Sequence, residues 1–253
     1  MGTVHFIGGE KGGVGKSLMA RLLAQYFIDH GQPFLAFDCD RTHGALMRFY
    51  SSYSSPVVID DYQSLDVLIE LAAAEPARRI LVDLAAQSQQ PLLRWMADSR
   101  LLELAPELHL ELVYWHVMDN GFDSVELLRK LLDEFGPKIK LVLVLNQVRG
   151  ERFELLEASG QRARAEQWGA RVMSLQRLAD ATMHKIDANS RSFWAAMKNG
   201  GGTENSLGLL EQQRLWVRIK RVYEEFDRIA PRWRRALRPL SHAALRSAAP
   251  AHR

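Results

Sequence analysis

Glu10-Lys11-Gly12-Gly13-Val14-Gly15-Lys16-Ser17 lies between the apolar run Val4 to Ile7 and the apolar-periodic segment Leu18 to Phe27. The order reads as strand, glycine loop, helix. A phosphate chain needs backbone N–H groups converging on it with no side chain in the way, and Gly12, Gly13 and Gly15 lack the Cβ atoms that would block this approach. Lys16 is then placed to reach the β- and γ-phosphates and Ser17 to offer its hydroxyl to Mg2+, while the N-terminus of the following helix adds its positive dipole end. Counted back from Lys16, the pattern G-x-x-x-x-G-K-[ST] wants its first glycine where this chain has Glu10. The pattern is missed at that position, and a second lysine, Lys11, precedes the glycines.

The run Lys11 to Ser17 resembles the deviant Walker A motif, K-G-G-x-G-K-[ST], of the ParA/MinD superfamily of dimeric nucleotide-switch ATPases, and it matches every specified position. The resemblance implies that Gly12, Gly13, Val14, Gly15, Lys16, Ser17 and Leu18 hold ATP. It further implies an ATP-dependent homodimer in which Lys11 crosses the interface to the nucleotide of the other copy.

Three carboxylates extend the site. Asp38 and Asp40 follow the apolar run Phe34 to Phe37, at the carboxyl end of a strand, where they can reach Mg2+ through water or orient an attacking water. Under the resemblance they form the D-x-D of switch I, with Asp38 near the metal and Asp40 tied to hydrolysis. Asp83 closes the run Ile80 to Val82, the position of a Walker B carboxylate that holds a Mg2+-bound water. The following Leu84-Ala85-Ala86-Gln87 departs from the family, lacking the glycine or proline usual there. Gln87 and Gln89 either orient water or are simply solvated. Asn146, at the end of Leu141 to Leu145, matches the family asparagine whose amide pairs with adenine, donor and acceptor together suiting a base edge. The proline-containing base loop of many relatives has no clear counterpart around Ser174 to Asp180.

Length and composition set bounds. A chain of 253 residues is long enough for one substantial α/β core, and its apolar segments are evenly spread. Cys39 is the only cysteine, so no intrachain disulfide forms and one subunit cannot ligate an iron-sulfur cluster through cysteines. No apolar run approaches the ~18 residues of a membrane span, and the N-terminus enters a strand directly, so a cytoplasmic protein is expected. The histidines show no metal-ligand spacing, and the tryptophans are scattered as core and interface residues are.

Unalternated apolar runs suit strands buried on both faces: Val4 to Ile7, Phe34 to Phe37, Ile80 to Val82, Leu110 to Val117, Ile139 to Leu145 and Ala170 to Leu175. Helical periodicity covers Leu65 to Ala74, Leu92 to Leu104, Val125 to Phe135, Arg177 to Lys198 and Leu207 to Ile229, with Gly200-Gly201-Gly202 separating the last two. Ser51 to Pro56 reads as a loop. The alternation predicts an α/β doubly wound, mostly parallel sheet of the P-loop NTPase kind, with a helical C-terminal part.

Residues 1–231 are expected to form the ATPase domain and residues 232–253 a basic tail. The tail holds six arginines and no acid, leaving residues 1–231 with a net charge of −3 against the chain's +3. Trp233, Leu237, Leu240, Ala244 and Leu245 fall roughly on one helical face, suiting DNA phosphates or an anionic membrane surface, whereas Pro239 and Pro250 suit a disordered tail. Arg214, Arg218, Lys220 and Arg221 add to this basic region.

The function implied by the resemblance is an ATPase switch that positions or recruits a macromolecular partner, an unidentified protein among the candidates. The helix start Gly15-Lys16-Ser17-Leu18, the altered loop after Asp83 and the long helical C-terminal part look more like the ParA-like ATPases of plasmid mobilisation and conjugation. The competing readings are a small-molecule kinase or ligase on the same scaffold, against which Lys11 weighs, and a module that binds nucleotide without hydrolysing it.

Overall fold

In the computed structural model, residues 1–40, 44–198 and 206–229 are described. In chain order they form β1 (Gly2–Gly8), α1 (Lys16–Asp29), β2 (Phe34–Asp38), α2 (Ala45–Phe49), β3 (Ser54–Pro56), α3 (Tyr62–Ala74), β4 (Arg79–Asp83), α4 (Gln89–Asp98) and α5 (Leu101–Glu107). There follow β5 (Leu110–Met118), α6 (Phe122–Phe135), β6 (Lys140–Asn146), α7 (Glu154–Ala158), α8 (Gln161–Gln167), β7 (Arg171–Leu175), α9 (Asp180–Ala188), α10 (Phe193–Lys198) and α11 (Leu209–Ile229). The strands make one seven-stranded sheet in the order β3-β2-β4-β1-β5-β6-β7, with every pairing parallel.

Alternate residues of each strand feed opposite faces, so the apolar runs supply two cores. Val4, Phe6, Val82 and Tyr114 pack under α3 to α8, while Ile7, Leu81, Trp115 and Val144 pack under α1, α2, α9, α10 and α11. Burying one such side chain contributes about 1.5–3 kcal/mol, so the two layers together hold the sheet. Helix α1 is buried almost all round from Met19 to Phe27, because α2, α10 and α11 cover the side turned away from the sheet. Two reciprocal hydrogen bonds staple it to α11: Tyr26 Oη donates to Asp227 Oδ1 (2.7 Å) and Tyr223 Oη to Asp29 Oδ2 (2.7 Å).

Three expected elements differ. Leu92 to Leu104 is not one helix but α4 and α5, because Arg100 takes a left-handed φ of 46° and turns the chain so that Leu101 and Ala105 reach the core. Arg177 to Lys198 is likewise broken into α9 and α10, where Ser190 has φ 48° and its Oγ accepts from Arg48 Nε at 2.7 Å. Ser51 to Pro56 contains a 3-10 turn and the edge strand β3, with Pro56 at the strand's end, where a missing N–H is tolerated. The short helices α2, α7 and α8 had no periodicity to announce them. The glycine run, the tail and the domain boundary at residue 231 lie outside the described residues. No helix among the described residues is long and apolar enough to cross a membrane.

Candidate nucleotide and metal site

Parallel pairing puts the carboxyl ends of all strands on one edge, and the polar residues that close them meet there. The glycine loop leaves β1 at the middle of that edge. Gly15 has φ 99°, and a Cβ there would lie 2.3 Å from Asn146 Nδ2, so both conformation and space demand glycine. Asn146 is buried at the end of β6, and its Nδ2 donates to Val14 O at 2.7 Å. The amide expected to face a base therefore also supports the loop from beneath. Beyond it, Gln147, Arg149, Glu151, Gln176, Arg177 and Arg218 line an open cleft of about 360 Å³.

Lys16 is buried at the start of α1, and its Nζ donates to Lys11 O at 3.2 Å. Burial lowers its pKa, while Asp83, Glu10 and Asp40 oppose the shift. Ser17 follows it, half-buried beside Asp83. Asp83 is 2% exposed, and neither carboxylate oxygen has a hydrogen-bond partner of normal geometry. Burial, with the charge of Asp38 across the β2–β4 register, pushes its pKa up to about 7, against the pull of Ser17 and Lys16.

A buried carboxylate without a donor is costly unless a cation comes to it. Hard oxygen donors from Ser17 and Asp83 suit Mg2+, which takes one or two protein oxygens and completes its shell with water and phosphate. Among the described residues no cluster of three or more His, Cys, Asp or Glu could hold a metal by itself.

Asp38 is engaged by backbone. Its Oδ2 accepts the N–H groups of Leu46 (2.9 Å) and Met47 (3.3 Å) at the head of α2, and its Oδ1 accepts that of Asp40 (3.0 Å). Burial raises its pKa despite these three donors. Asp40 stands half-buried two residues past β2's end and is felt electrostatically by Lys16, Asp38 and Asp83. Asp38 and Asp40 thus lie on the same rim as the loop.

Residues 5–185 match the family described as the CobQ/CobB/MinD/ParA nucleotide binding domain. The chain belongs to this family. It is similar to protein MobD of Acidithiobacillus ferrooxidans, 26% identical over 200 residues that cover 78% of this chain and 87% of that one. It is also similar to a protein TraL of Escherichia coli, 26% identical over 246 residues covering 91% and 99% of the two chains. These likenesses support the narrower resemblance to the ParA-like ATPases of plasmid mobilisation and conjugation. In fold it is similar to the septum site-determining protein MinD of Pyrococcus horikoshii in complex with Mg-ADP, with a TM-score of 0.51, 14% identity and coverage of 90% and 96%.

Within this family frame Lys11 occupies the outer side of the loop. Its Nζ lies 3.3 Å from Asp119 Oδ2 and 3.6 Å from Asp123 Oδ2, and Arg149 Nε is 3.3 Å from the same Asp119 oxygen. Burial works against the charge of Asp119, but the Ser124 hydroxyl, the Gly121 N–H and Lys11 outweigh it and hold the carboxyl below the usual range. Asp119 was missed by sequence reasoning, although it closes the buried run Leu110 to Met118 just as Asp83 and Asn146 close theirs. In sequence Glu10 is only a mismatch to the ordinary phosphate-loop pattern. In the fold its Oε1 accepts the N–H of Gln89, and Gln89 proves buried, while Gln87 is exposed. His116, buried beneath the loop, is held neutral: burial, then the nearby Lys16, push its pKa down to about 4.

Proposed function

We propose that the chain is an ATP-dependent switch ATPase that dimerises to position or recruit a macromolecular partner. MgATP draws two copies face to face, Lys11 of each completes the other's site, and hydrolysis through Asp40 releases them. The observation that carries this reading is the division of labour between the lysines. Lys16 is buried in its own site beside Asp83, whereas Lys11 sits on the rim against Asp119 and Asp123, next to Phe122, which is 66% exposed. On that rim it is poised to exchange carboxylates for the phosphates of a facing copy.

Ser17 and Asp83, with Asp38 through water, would hold Mg2+, which neutralises charge on the phosphate oxygens when bound. The loop from Gly12 to Leu18 binds the phosphates through backbone N–H groups, Lys16 adds its charge, Asn146 serves the adenine, and Asp40 orients water. The partner surface falls to the basic C-terminal region. On α11, Arg218 and Arg221 both donate to Gln176 Oε1, a neutral acceptor, so their charge remains available to DNA phosphates or an anionic membrane. Similarity to MobD and TraL supports a setting in plasmid mobilisation or conjugation, in the cytoplasm.

A non-hydrolysing module is the second reading, favoured by the engagement of Asp38 with α2 and by the atypical loop after Asp83. Phosphate release by the wild type separates it from the switch. The surface is tested with Asp40→Ala, expected to bind ATP and hydrolyse slowly, added to duplex DNA and to anionic liposomes with ATP or ADP, as the full chain and as a form ending at Pro231. ATP-dependent binding to one surface identifies it, and its loss on truncation assigns the contact to the tail. Binding to neither in any nucleotide state contradicts the surface reading.

A further inference from the structure

One departure from the ordinary phosphate-loop pattern touches one departure from the family pattern. Glu10 replaces the first glycine of the ordinary phosphate loop, and Leu84-Ala85-Ala86-Gln87 lacks the usual glycine or proline after Asp83. In the fold, Glu10 Oε1 accepts the N–H of Gln89, the first residue of α4, at 2.5 Å. Ser88 makes no side-chain cap to this helix, and its hydroxyl donates backward to Ala85 O at 2.7 Å. The cap comes instead from a carboxylate 79 residues upstream, and such a contact is charge-assisted and favoured by the helix dipole.

The segment so held is under load. Gln87 has φ 61°, a left-handed conformation that costs a non-glycine residue about 1–2 kcal/mol. Gln89 is 4% exposed, and its Oε1 lacks a hydrogen-bond partner. A strained residue and an unsatisfied buried oxygen persist only where the surroundings hold them. Glu10 directly precedes the phosphate loop in the chain, and its charge also contributes to the field at Lys16 and at Tyr114.

We propose that Glu10 is a positioning residue that couples nucleotide charge to the loop following Asp83. Without a γ-phosphate, its carboxylate pins the first turn of α4. A γ-phosphate on Lys16 brings negative charge next to that carboxylate, competes with it for the lysine's field and weakens the pin, so the loop is freer with ATP than with ADP. The coupling rests on the nucleotide-site reading, whereas the anchor does not.

The test is amide hydrogen exchange of the 84–92 segment in the full chain, comparing wild type, Glu10→Gln and Glu10→Gly without nucleotide, with MgADP and with a non-hydrolysable ATP analogue. Fluorescent-nucleotide titration of each protein runs alongside. Without nucleotide, the wild type and Glu10→Gln, whose amide oxygen still accepts, protect the Gln89 amide, and Glu10→Gly exchanges it about tenfold faster. With the ATP analogue, wild-type exchange rises toward that of Glu10→Gly. ADP leaves it low, and Glu10→Gln, lacking the charge, does not respond.

Equal exchange in wild type and Glu10→Gly without nucleotide overturns the anchor. A wild type that responds alike to ADP and the ATP analogue, or a Glu10→Gln that responds as wild type does, overturns the coupling. A wild type that binds neither nucleotide overturns the site reading and the coupling with it, and the nucleotide-free comparison then decides the anchor alone.

Discussion

Replacing Asp83 with Asn should stabilise the metal-free protein in a pH-dependent way. The carboxyl pKa rises from 3.8 to about 7 on folding, chiefly through burial. At 1.36 kcal/mol per unit, the ionised group costs the folded state about 4 kcal/mol. The folded carboxyl holds its proton more tightly than the unfolded one, so this group's contribution falls as pH rises from about 4 through about 7 and is constant above that. Asn has no proton to lose.

Its advantage is therefore about 4 kcal/mol at pH 8 and about 1–2 kcal/mol at pH 5, less a fixed amount for the buried amide's own unmade hydrogen bonds. The change between the two pH values, about 2–3 kcal/mol, is free of that fixed amount. Asp38, raised by the same burial, titrates in both proteins, so its contribution is common to the comparison. Urea unfolding of both proteins in EDTA at pH 5 and pH 8 measures it. The same stability difference at both pH values would refute the assignment of Asp83 as a buried carboxylate only partly offset by Ser17 and Lys16. The variant should in turn lose the Mg2+-dependent part of nucleotide affinity, which isothermal titration with and without the metal reads.

Two further substitutions test the scaffold of the site. Gly15→Ala forces a left-handed residue and a Cβ into the space of Asn146 Nδ2, so nucleotide binding should fall by more than about tenfold while far-UV circular dichroism stays unchanged. Tyr26→Phe removes the hydrogen bond to Asp227 and should lower stability by about 1 kcal/mol in urea unfolding, with nucleotide affinity kept, because the Tyr223–Asp29 bond still joins α1 to α11.

The strands were legible because a parallel sheet covered on both faces demands unbroken apolar runs, and the residue that ends each run falls on the functional rim. That logic placed Asp38, Asp83 and Asn146, and it covers Asp119 equally well once β5 is seen to end at Met118. The helix breaks at Arg100 and Ser190 were not legible, since neither left-handed residue is a glycine and both turns are set by what packs beyond them. Helix α2 is equally silent in sequence, its first N–H groups being satisfied by Asp38 from the end of β2. Glu10 illustrates the same limit: a mismatch in a linear motif gained meaning only when the fold brought Gln89 to it.

The central claim is that ATP joins two copies through Lys11. Light scattering on the eluting Asp40→Ala protein, with MgATP and with MgADP, tests it most directly, with Lys11→Ala/Asp40→Ala as the partner sample. The account predicts that the 28.8 kDa mass doubles for Asp40→Ala with ATP alone and stays single in ADP and in the double variant under both nucleotides. A single mass in ATP for a protein that binds it, or an equal doubling in the double variant, would contradict the claim.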